Sequence, residues 1–418
     1  MSNTDKSGLV PNLRFPEFLT AEGWQVAPLS QLATRTKKKN RDQTITRVLT
    51  NSAEFGVVDQ RDFFDKDIAT QGNLESYFVV DLGSYVYNPR ISATAPVGPI
   101  SKNKVGTGVM SPLYTVFKFE NDSNEFYEHY FKTTGWHTYM RQASSTGARH
   151  DRMAISSDDF MAMPLPVSSP AEQQKIADCL SSLDELIAAQ ARKVDVLKTH
   201  KKGLMQQLFP CEGETVPRLR FPEFRDAGEW VQKTVGDVSE VLMCKRIFAE
   251  ETNPSEGVPF YKIGTLGGVP DAFIFRDKFE DYKSRYNYPR AGEVLITCSG
   301  TVGKCLPFDG KDAYFQDSNI VWLANSKGEV SNEFLLMLLS NVNWGSLNST
   351  TITRIYGPDL RGMAIKYPED EFEQQRIASF LSSLDTLITT AIQEIETLKT
   401  HKKGLMQQLF PVLDETPI

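Results

Sequence analysis

The clearest hydrophobic pattern along the chain is a heptad repeat that occurs twice. Apolar residues recur at alternating spacings of four and three within 172–210 and again within 373–411. Sustained over about five heptads, this spacing predicts a helix with a coiled-coil seam. The seam positions are Ile176, Leu180, Leu183, Ile187, Gln190, Val194, Leu197, Lys201, Leu204 and Leu208, followed by Ile377, Leu381, Leu384, Ile388, Ala391, Ile395, Leu398, Lys402, Leu405 and Leu409.

The two heptad segments are near-copies of each other. EQQKIADCLSSLDELI begins at Glu172 and EQQRIASFLSSLDTLI at Glu373, an offset of 201 residues. A shorter repeat, LRFPEF, begins at Leu13 and again at Leu219. Joining the two ends of the chain would nearly regenerate the connector that follows the first heptad segment. We therefore expect a two-fold repeat that is opened within one connector, with termini that lie close together.

Both heptad segments carry signals for the ends of a helix. Ser169 and Glu172 have the spacing of a capping box, with Pro170 at the first helical position, and Asp370 starts the second copy similarly. Phe-Pro pairs at 209–210 and 410–411 end the segments, since proline cannot continue a helix. Each helix should be roughly 55 Å long. Chain order favours antiparallel pairing of the two helices, which would then act as a ruler between two globular domains.

The stretches between the repeats, 24–167 and 230–367, share little identity and predict mixed secondary structure. Strands are expected at 77–87, 113–119, 292–297 and 319–323, and short helices at 125–140 and 332–347. No regular βαβ alternation occurs, so a parallel nucleotide-binding sheet is not expected. The predicted fold class is α+β: two mixed α/β domains joined by two long antiparallel coiled-coil helices in a pseudo-two-fold repeat. The predicted boundaries are 1–168, 169–210, 211–369 and 370–418.

Composition places the chain among ordinary globular proteins. Its 418 residues are 40% hydrophobic and carry a net charge of −7. The N-terminus has no apolar signal-peptide core and no apolar run spans a bilayer, so we expect a cytoplasmic protein. Five scattered cysteines predict reduced thiols. The net negative charge indicates that the chain would bind DNA only in part, with help from other proteins.

The residues expected of an active site are missing from the sequence. Gly300–Lys304 has the wrong spacing for a phosphate-binding loop and is interpreted as a turn in a DNA-facing loop. Tyr87-Asn88-Pro89-Arg90 lacks the second proline and aromatic residue of the adenine methyltransferase motif. The histidines have no metal-ligand spacing. The sequence therefore predicts no catalytic residue, no metal site and no bound cofactor.

With no catalytic site predicted, the remaining function is binding. Clustered cations are the candidates for DNA contacts, because a DNA-binding surface must present positive charge to phosphates. The densest basic run is 35–41, although a solvated loop with no role in binding would have the same composition. The full candidate set is Arg35, Lys37, Lys38, Lys39, Arg41, Asn88, Arg90, Lys102, Lys104, Arg141, Arg149, Arg152, Lys245, Arg246, Arg285, Tyr286, Arg290, Lys304, Arg354 and Arg361.

The duplicated EQQxIAxxLSSLDxLI block, with Trp-leading inserts between the copies, resembles the specificity subunit of type I restriction-modification systems. The resemblance covers essentially the whole chain. It implies that each insert is a target recognition domain for one half of a split, asymmetric DNA site, and that the helices dock two methyltransferase subunits. It further implies that S-adenosylmethionine, ATP and Mg belong to the methyltransferase and restriction subunits.

Three other functions remain open at this point. The chain could serve as the specificity partner of a related bipartite-site enzyme of the type IIB kind. It could also be a fused methyltransferase or nuclease, which a purified-chain activity assay would reveal. A coiled-coil scaffold with no DNA role would show no salt-dependent binding to duplex DNA.

Overall fold

The computed structural model describes residues 8–63, 74–121, 125–146, 151–344 and 354–413. The chain divides into two compact units. Unit 1 comprises Met1–Ala191 with Gln393–Ile418, and unit 2 comprises Arg192–Ile392. Both divisions fall inside long helices, so each of these helices begins in one unit and ends in the other. Within the described ranges, no helix combines the length and apolar character needed to cross a membrane.

Unit 1 is built on an antiparallel sheet with the strand order β2-β9-β6-β7, flanked by the pairs β1-β12, β3-β4, β5-β8 and β10-β11. The strands are β1 (Gln25–Pro28), β2 (Ala33–Arg35), β3 (Leu49–Ser52), β4 (Gly56–Asp59), β5 (Phe78–Val80), β6 (Tyr85–Tyr87), β7 (Ile100–Lys102), β8 (Gly108–Met110), β9 (Thr115–Phe119), β10 (Ser145–Thr146), β11 (Met153–Ala154) and β12 (Pro164–Val167). The helices are α1 (Leu29–Leu32), α2 (Gln60–Phe63), α3 (Phe126–Tyr130), α4 (His137–Ala143), α5 (Ser157–Met161) and the long α6 (Pro170–Leu208).

Unit 2 repeats this central sheet with the strand order β14-β20-β17-β18, beside the pair β13-β21 and a second sheet, β16-β15-β19. Its strands are β13 (Val231–Thr234), β14 (Glu240–Leu242), β15 (Val258–Tyr261), β16 (Phe273–Ile274), β17 (Val294–Thr297), β18 (Cys305–Pro307), β19 (Tyr314–Phe315), β20 (Ile320–Ala324) and β21 (Ala364–Tyr367). Its helices are α7 (Val235–Val238), α8 (Arg276–Arg285), α9 (Asn332–Ser340), α10 (Gly357–Gly362) and the long α11 (Glu371–Leu409).

The same aromatic cluster stands at the base of each unit. In unit 1 the ring of Phe126 lies 5.6 Å from Trp24 and 5.2 Å from Phe410, between ring centroids. In unit 2, Phe334 holds the equivalent place, 5.7 Å from Trp230 and 5.6 Å from Phe209. Each cluster joins the residue before the first strand, β1 or β13, to the short helix α3 or α9 and to the residue that follows a long helix. This shared packing explains why the two unlike inserts adopt one scaffold.

The predicted heptad seam is present in both units. The twelve aliphatic positions proposed for it are all buried or half-buried. In unit 1, as residue numbers rise along α6 from Asp184 to Gln190, their polar partners on α11 fall from Lys402 to Glu394. In unit 2, Lys201 Nζ lies 2.6 Å from Asp385 Oδ1. The segments of α6 and α11 therefore run antiparallel in unit 1, as predicted, and they also contact each other in unit 2.

The helix starts differ from the prediction in one respect. Ser169 caps α6, with its Oγ accepting a hydrogen bond of 3.3 Å from the Glu172 amide. The reciprocal half of the predicted capping box does not form, because the Glu172 carboxylate binds the guanidinium of Arg14, at 2.6 Å from Nε. Arg220 binds Glu373 in the same way at the start of α11.

The repeated LRFPEF segment packs against the end of a long helix in both units. The amide of Leu13 donates to the carbonyl of Gln408 in unit 1, and that of Leu219 donates to Gln207 in unit 2, both at 2.9 Å. This contact confirms that the N-terminal and C-terminal segments lie next to each other, as the interrupted repeat predicts.

Several predicted elements are divided by turns. The expected strand at 77–87 is the two strands β5 and β6, because Gly83 adopts a positive φ of 83° between them. The expected helix at 125–140 is the two helices α3 and α4, separated by the turns of residues 131–136. The helix expected at 332–347 ends at Ser340 as α9, and residues 345–353 lie outside the described part.

Candidate nucleic-acid interface

A clamped turn between β19 and β20 organises the candidate surface of unit 2. Ser318 has a positive φ of 61°, which is unusual for a residue other than glycine. The surrounding segment is held by backbone bonds from Gln316 to Tyr261 and from Cys298 to Asn319, at 2.9 and 2.7 Å. The guanidinium of Arg354 adds a contact of 3.4 Å to the Ser318 carbonyl. These bonds fix a tight turn whose side chains are presented in a defined orientation.

Cations and aromatic rings are linked in pairs around this turn. Nε of Arg246 donates to Oδ2 of Asp317 at 2.8 Å. Nζ of the adjacent Lys245 lies 5.4 Å from the ring centroid of Tyr286. The guanidinium carbons of Arg285 and Arg354 lie 5.5 and 5.6 Å from the rings of Tyr286 and Tyr356. We call this set the basic–aromatic surface; its residues are Lys245, Arg246, Arg285, Tyr286, Arg354 and Tyr356.

Three other candidates of unit 2 have different surroundings. Nζ of Lys304 donates to the carbonyl of Leu266 at 2.5 Å, so this ammonium group stabilises a loop. Arg361 is exposed on α10, a helix that packs against α7. Arg290 is exposed just before β17.

Residues 300–304, between β17 and β18, form a turn as the sequence predicted, with positive φ values of 65° at Gly300 and 79° at Gly303. Burial raises the pKa of Cys298 to about 11, although Arg354 acts in the opposite direction. Burial likewise raises the pKa of Cys305 to about 12. Both residues therefore stay protonated thiols at neutral pH, unlike the thiolates that bind metals or act as nucleophiles.

In unit 1 the basic run forms an exposed loop after β2. Lys37, Lys38, Lys39 and Arg41 are all exposed. Asn40, which is buried, closes the loop by donating to the carbonyl of Ile45 at 2.8 Å and accepting from its amide at 3.2 Å. The loop therefore has a fixed path that leaves its four cationic side chains in solvent.

Four other candidates of unit 1 have partners within the unit. Arg90 and Arg152 face each other across an isolated antiparallel bridge. Arg35 is half-buried, with its guanidinium bonded to the hydroxyl of Ser157. Asn88 differs from the prediction, since it is buried and donates to the carbonyl of Asn51 at 2.9 Å. Its amide therefore bonds within the unit and is not presented to solvent.

The remaining candidates of unit 1 have varied environments. Lys102 lies over the ring of Tyr85, at 5.8 Å from its centroid. Lys104 forms ion pairs with Glu125 and Glu128. Burial acts to lower the pKa of its ammonium group, but the two carboxylates outweigh this effect and the pKa is raised. Arg141 is exposed on α4. Arg149 lies outside the described residues.

Comparison with known proteins identifies the family. The profile described as "Type I restriction modification DNA specificity domain" matches residues 227–399. A type I restriction enzyme specificity subunit of Haemophilus influenzae is 34% identical over 275 residues, covering 66% of this chain and 67% of that protein. The chain belongs to the type I restriction-modification specificity subunit family. This family recognises DNA and is not catalytic.

Solved structures agree with the fold of this specificity subunit. The S subunit of a type I restriction-modification system from M. genitalium superposes with a TM-score of 0.60 at 14% identity, over 98% of this chain and 100% of that one. A chain from a study of complex assembly and conformational transition in the type I system gives 0.58 at 16% identity, over 93% and 96%. At these identities the likeness concerns the fold.

Sequence reasoning missed some residues of the specificity subunit's surface. Asp317 is not among the predicted DNA contacts because a carboxylate does not bind phosphate, yet it accepts the hydrogen bond from Nε of Arg246. Tyr356 is 60% exposed. The sequence signal that could have identified Tyr356 is its position two residues after Arg354. Asn40 could have been found only from its backbone partners, which the sequence does not reveal.

Proposed function

We propose that this specificity subunit reads the two halves of a bipartite, asymmetric DNA site, one half with each unit. The observation that carries the proposal is a shared scaffold beneath unlike surfaces. Both units have the Arg–Glu pair at the start of a long helix, the three-ring aromatic cluster and the same order of sheet strands. A duplicated scaffold with one binding surface would read the same sequence twice.

The surfaces differ in both backbone and chemistry. Unit 2 has the basic–aromatic surface and the ten-residue helix α8, whereas unit 1 has the lysine-rich loop and the hairpin β3-β4. Different side chains contact different base edges, because each base pair has its own donor and acceptor pattern in the major groove. The two half-sites should therefore differ in sequence.

Catalysis would depend on partner proteins. We propose that two methyltransferase subunits and the restriction subunits bind this chain, and that they carry S-adenosylmethionine, ATP and Mg. The net charge of −7 supports this view, since the partners would supply part of the positive surface around the DNA. The complex would act in the cytoplasm, where it meets both host and foreign DNA.

The two long helices would set the spacing between the half-sites. Each has 39 residues and therefore a length of about 58 Å. Two readers on one face of a duplex require half-sites about one helical turn apart. The bases between the half-sites would then be counted by distance and not read.

Genome-wide mapping of N6-methyladenine tests this function. Cells would carry this chain together with its methyltransferase partner, and matched cells would carry the methyltransferase alone. The expected result is one methylated motif with two unlike specified parts and an unspecified gap, present only when the chain is expressed. A continuous or palindromic motif would contradict the proposal, as would methylation independent of the chain.

Variants of one unit provide a sharper control. Replacing Arg354 and Tyr356 with alanine should weaken recognition of one half-site and leave the specified bases of the other unchanged. Replacing Lys37, Lys38 and Lys39 should instead affect the opposite half. If either set alters both halves equally, the assignment of one half-site to each unit is wrong.

A further inference from the structure

We infer that Arg246 is a base-reading residue of unit 2, that it recognises a guanine in the major groove, and that Asp317 holds its guanidinium in position. This inference rests on the proposed function, because it assigns a base contact within one of the two half-sites. It identifies both a specificity-determining side chain and the base that it would select.

The geometry of the Arg246–Asp317 pair leaves the two terminal nitrogens of the guanidinium available for a base. Nε of Arg246 donates to Oδ2 of Asp317 at 2.8 Å. An arginine side chain has five N–H donors, and this bond engages the one on Nε. The two terminal nitrogens can then form the pair of parallel hydrogen bonds that O6 and N7 of guanine accept.

A base-reading arginine must be exposed to DNA while the carboxylate that positions it is held by the protein, and the exposures of Arg246 and Asp317 differ in this way. The Arg246 side chain is 59% exposed, whereas that of Asp317 is 14% exposed. An anchored carboxylate beneath a projecting guanidinium restricts its rotamers before DNA arrives. Since ordering a flexible side chain costs free energy on binding, this restriction favours both affinity and selectivity.

Asp317 is itself held by the clamped turn. The hydroxyl of Ser318 donates to the same Oδ2 at 3.2 Å, and Ser318 occupies the left-handed region of φ. Backbone conformations of this kind persist where their surroundings enforce them and are common at binding sites. Here Arg354 and the backbone of Cys298 enforce the turn.

Other arginines whose Nε donates a hydrogen bond to a carboxylate, in the described part of the chain, lack this combination. Arg47 binds Asp59 at 2.8 Å, but its Nη1 also donates to the carbonyl of Val105. Arg376 contacts Glu223 at 3.2 Å, and that carboxylate is 47% exposed and therefore poorly anchored. Arg14 and Arg220 are buried and support the scaffold.

The surroundings of Arg246 suit a duplex. Lys245 precedes it and lies over Tyr286, and Arg285 lies over the same ring, so cations flank the proposed reader. Cations of this kind bind phosphates and set the register of a protein on DNA, while base-edge contacts provide selectivity. Asp317 contributes through Arg246, which makes it a positioning residue.

The test is a chemical double-mutant cycle on the complex of the full chain with its methyltransferase. A duplex carries the mapped site, and each guanine of both half-sites is replaced in turn by 7-deazaguanine, which removes the N7 acceptor but keeps base pairing. For the wild-type complex, one replacement should weaken binding roughly 10-fold or more at constant salt. For Arg246→Ala, the same replacement should weaken binding less than about 2-fold.

Asp317→Asn should give an intermediate result at that one guanine and unchanged results at the others. A purely structural role for Asp317 would lower affinity without altering the preference for one base. Arg246→Lys retains the charge but loses the fork, so it should keep the salt dependence of binding and lose discrimination at that guanine.

Each of three results would overturn the inference. The first is that Arg246→Ala leaves every deazaguanine penalty unchanged, and the second is that every guanine is replaceable in the wild-type complex without loss of binding. The third is that Arg246→Ala lowers only the salt slope, as the loss of a phosphate contact would. Failure of the wild-type complex to prefer the mapped bipartite site over random duplex would instead contradict the proposed function.

Discussion

Arg220 and Glu373 form a two-pronged ion pair in unit 2, with both nitrogen–oxygen distances at 2.7 Å. The side chains are 8% and 1% exposed. Nη1 of Arg220 also donates to the carbonyls of Ala227 and Gly228, so the pair ties the repeated LRFPEF segment to the start of α11. Arg14 and Glu172 repeat this arrangement in unit 1.

We expect Glu373→Gln to destabilise unit 2 by about 3–5 kcal/mol, because it leaves a buried guanidinium without its counter-charge. Glu172→Gln should have a similar effect on unit 1. Urea unfolding would measure the loss, and hydrogen exchange would show which unit opens.

The control for this prediction is the exposed pair one helical turn away. Arg376 and Glu223 are 55% and 47% exposed, so Glu223→Gln should change stability by only about 0–1 kcal/mol. Equal losses from Glu373→Gln and Glu223→Gln would show that burial of the first pair has no energetic importance.

A buried histidine should make unit 1 sensitive to acid. His129 is 1% exposed, and its Nε2 lies 3.1 Å from Oγ of Ser181. Burial lowers its pKa to about 3, with a further contribution from Lys402 and Lys132 that Asp184 and Glu125 partly oppose. Because the pKa of a histidine side chain in the unfolded chain is about 6.5, the unfolded state binds this proton first as pH falls. This contribution to stability is complete above about pH 6.5 and is lost progressively toward pH 3.

Unit 2 supplies the variant that tests this sensitivity. Met337 follows Phe334 by three residues, as His129 follows Phe126, so His129→Met copies the unit 2 residue into unit 1. Between pH 6.5 and 5 the wild type should lose up to about 1.4 kcal/mol of unfolding free energy per pH unit more than the variant. Parallel pH profiles for the two proteins would exclude His129 as the cause.

A glycine in the last turns of each long helix should be replaceable with a gain in stability. Alanine favours a helix over glycine by about 1 kcal/mol, and a methyl group at Gly203 or Gly404 would have no atom within 4 Å beyond the neighbouring residues and the backbone of its own helix. Gly203→Ala and Gly404→Ala should each stabilise their own unit by about that amount in thermal unfolding. A loss of stability in either variant would indicate that the backbone freedom of the glycine is needed there.

The sequence predicted the long helices well because their signal is local and repeated. Ile176, Val194 and Ile377 are buried where the heptad spacing places them. The partner of Glu172 was not predicted, since Arg14 is 158 residues away and the local capping-box pattern offered a nearer alternative. Local patterns fix the elements, whereas the pairing of distant polar residues depends on the folded arrangement.

The candidate site was only partly predictable for the same reason. Charge alone indicated that Lys37 and Lys38 would be exposed, and they are. Charge and composition could not indicate that Asn88 would be buried by its bond to Asn51, or that Lys304 would donate to Leu266. Which of the exposed cations contact DNA stays a prediction.

The lysine loop of unit 1 should contribute phosphate contacts. Lys37, Lys38 and Lys39 are exposed in a loop of fixed path. Replacing all three by glutamine should lower the slope of log K against log salt concentration by up to about 3, or 0.9 for each lost phosphate contact. Binding measured at several salt concentrations on the mapped site checks this, with Lys311→Gln, at 86% exposure in unit 2, as a control. An unchanged slope would show that the loop does not contact the DNA backbone.

The proposed spacer role of the long helices gives the last prediction. Deleting 190–196 from α6 and 391–397 from α11 removes the same heptad from both copies and restores the four–three spacing of the seam, since Leu197 then follows Ile187 by three positions. Each helix becomes about 10 Å shorter, which corresponds to about 3 base pairs of duplex. Methylation mapping should show both half-sites unchanged and the unspecified gap shortened by about that number. Deleting four residues from each helix is the control, because it breaks the seam and should abolish methylation. An unchanged gap in an active seven-residue deletion would show that the helices do not set the spacing.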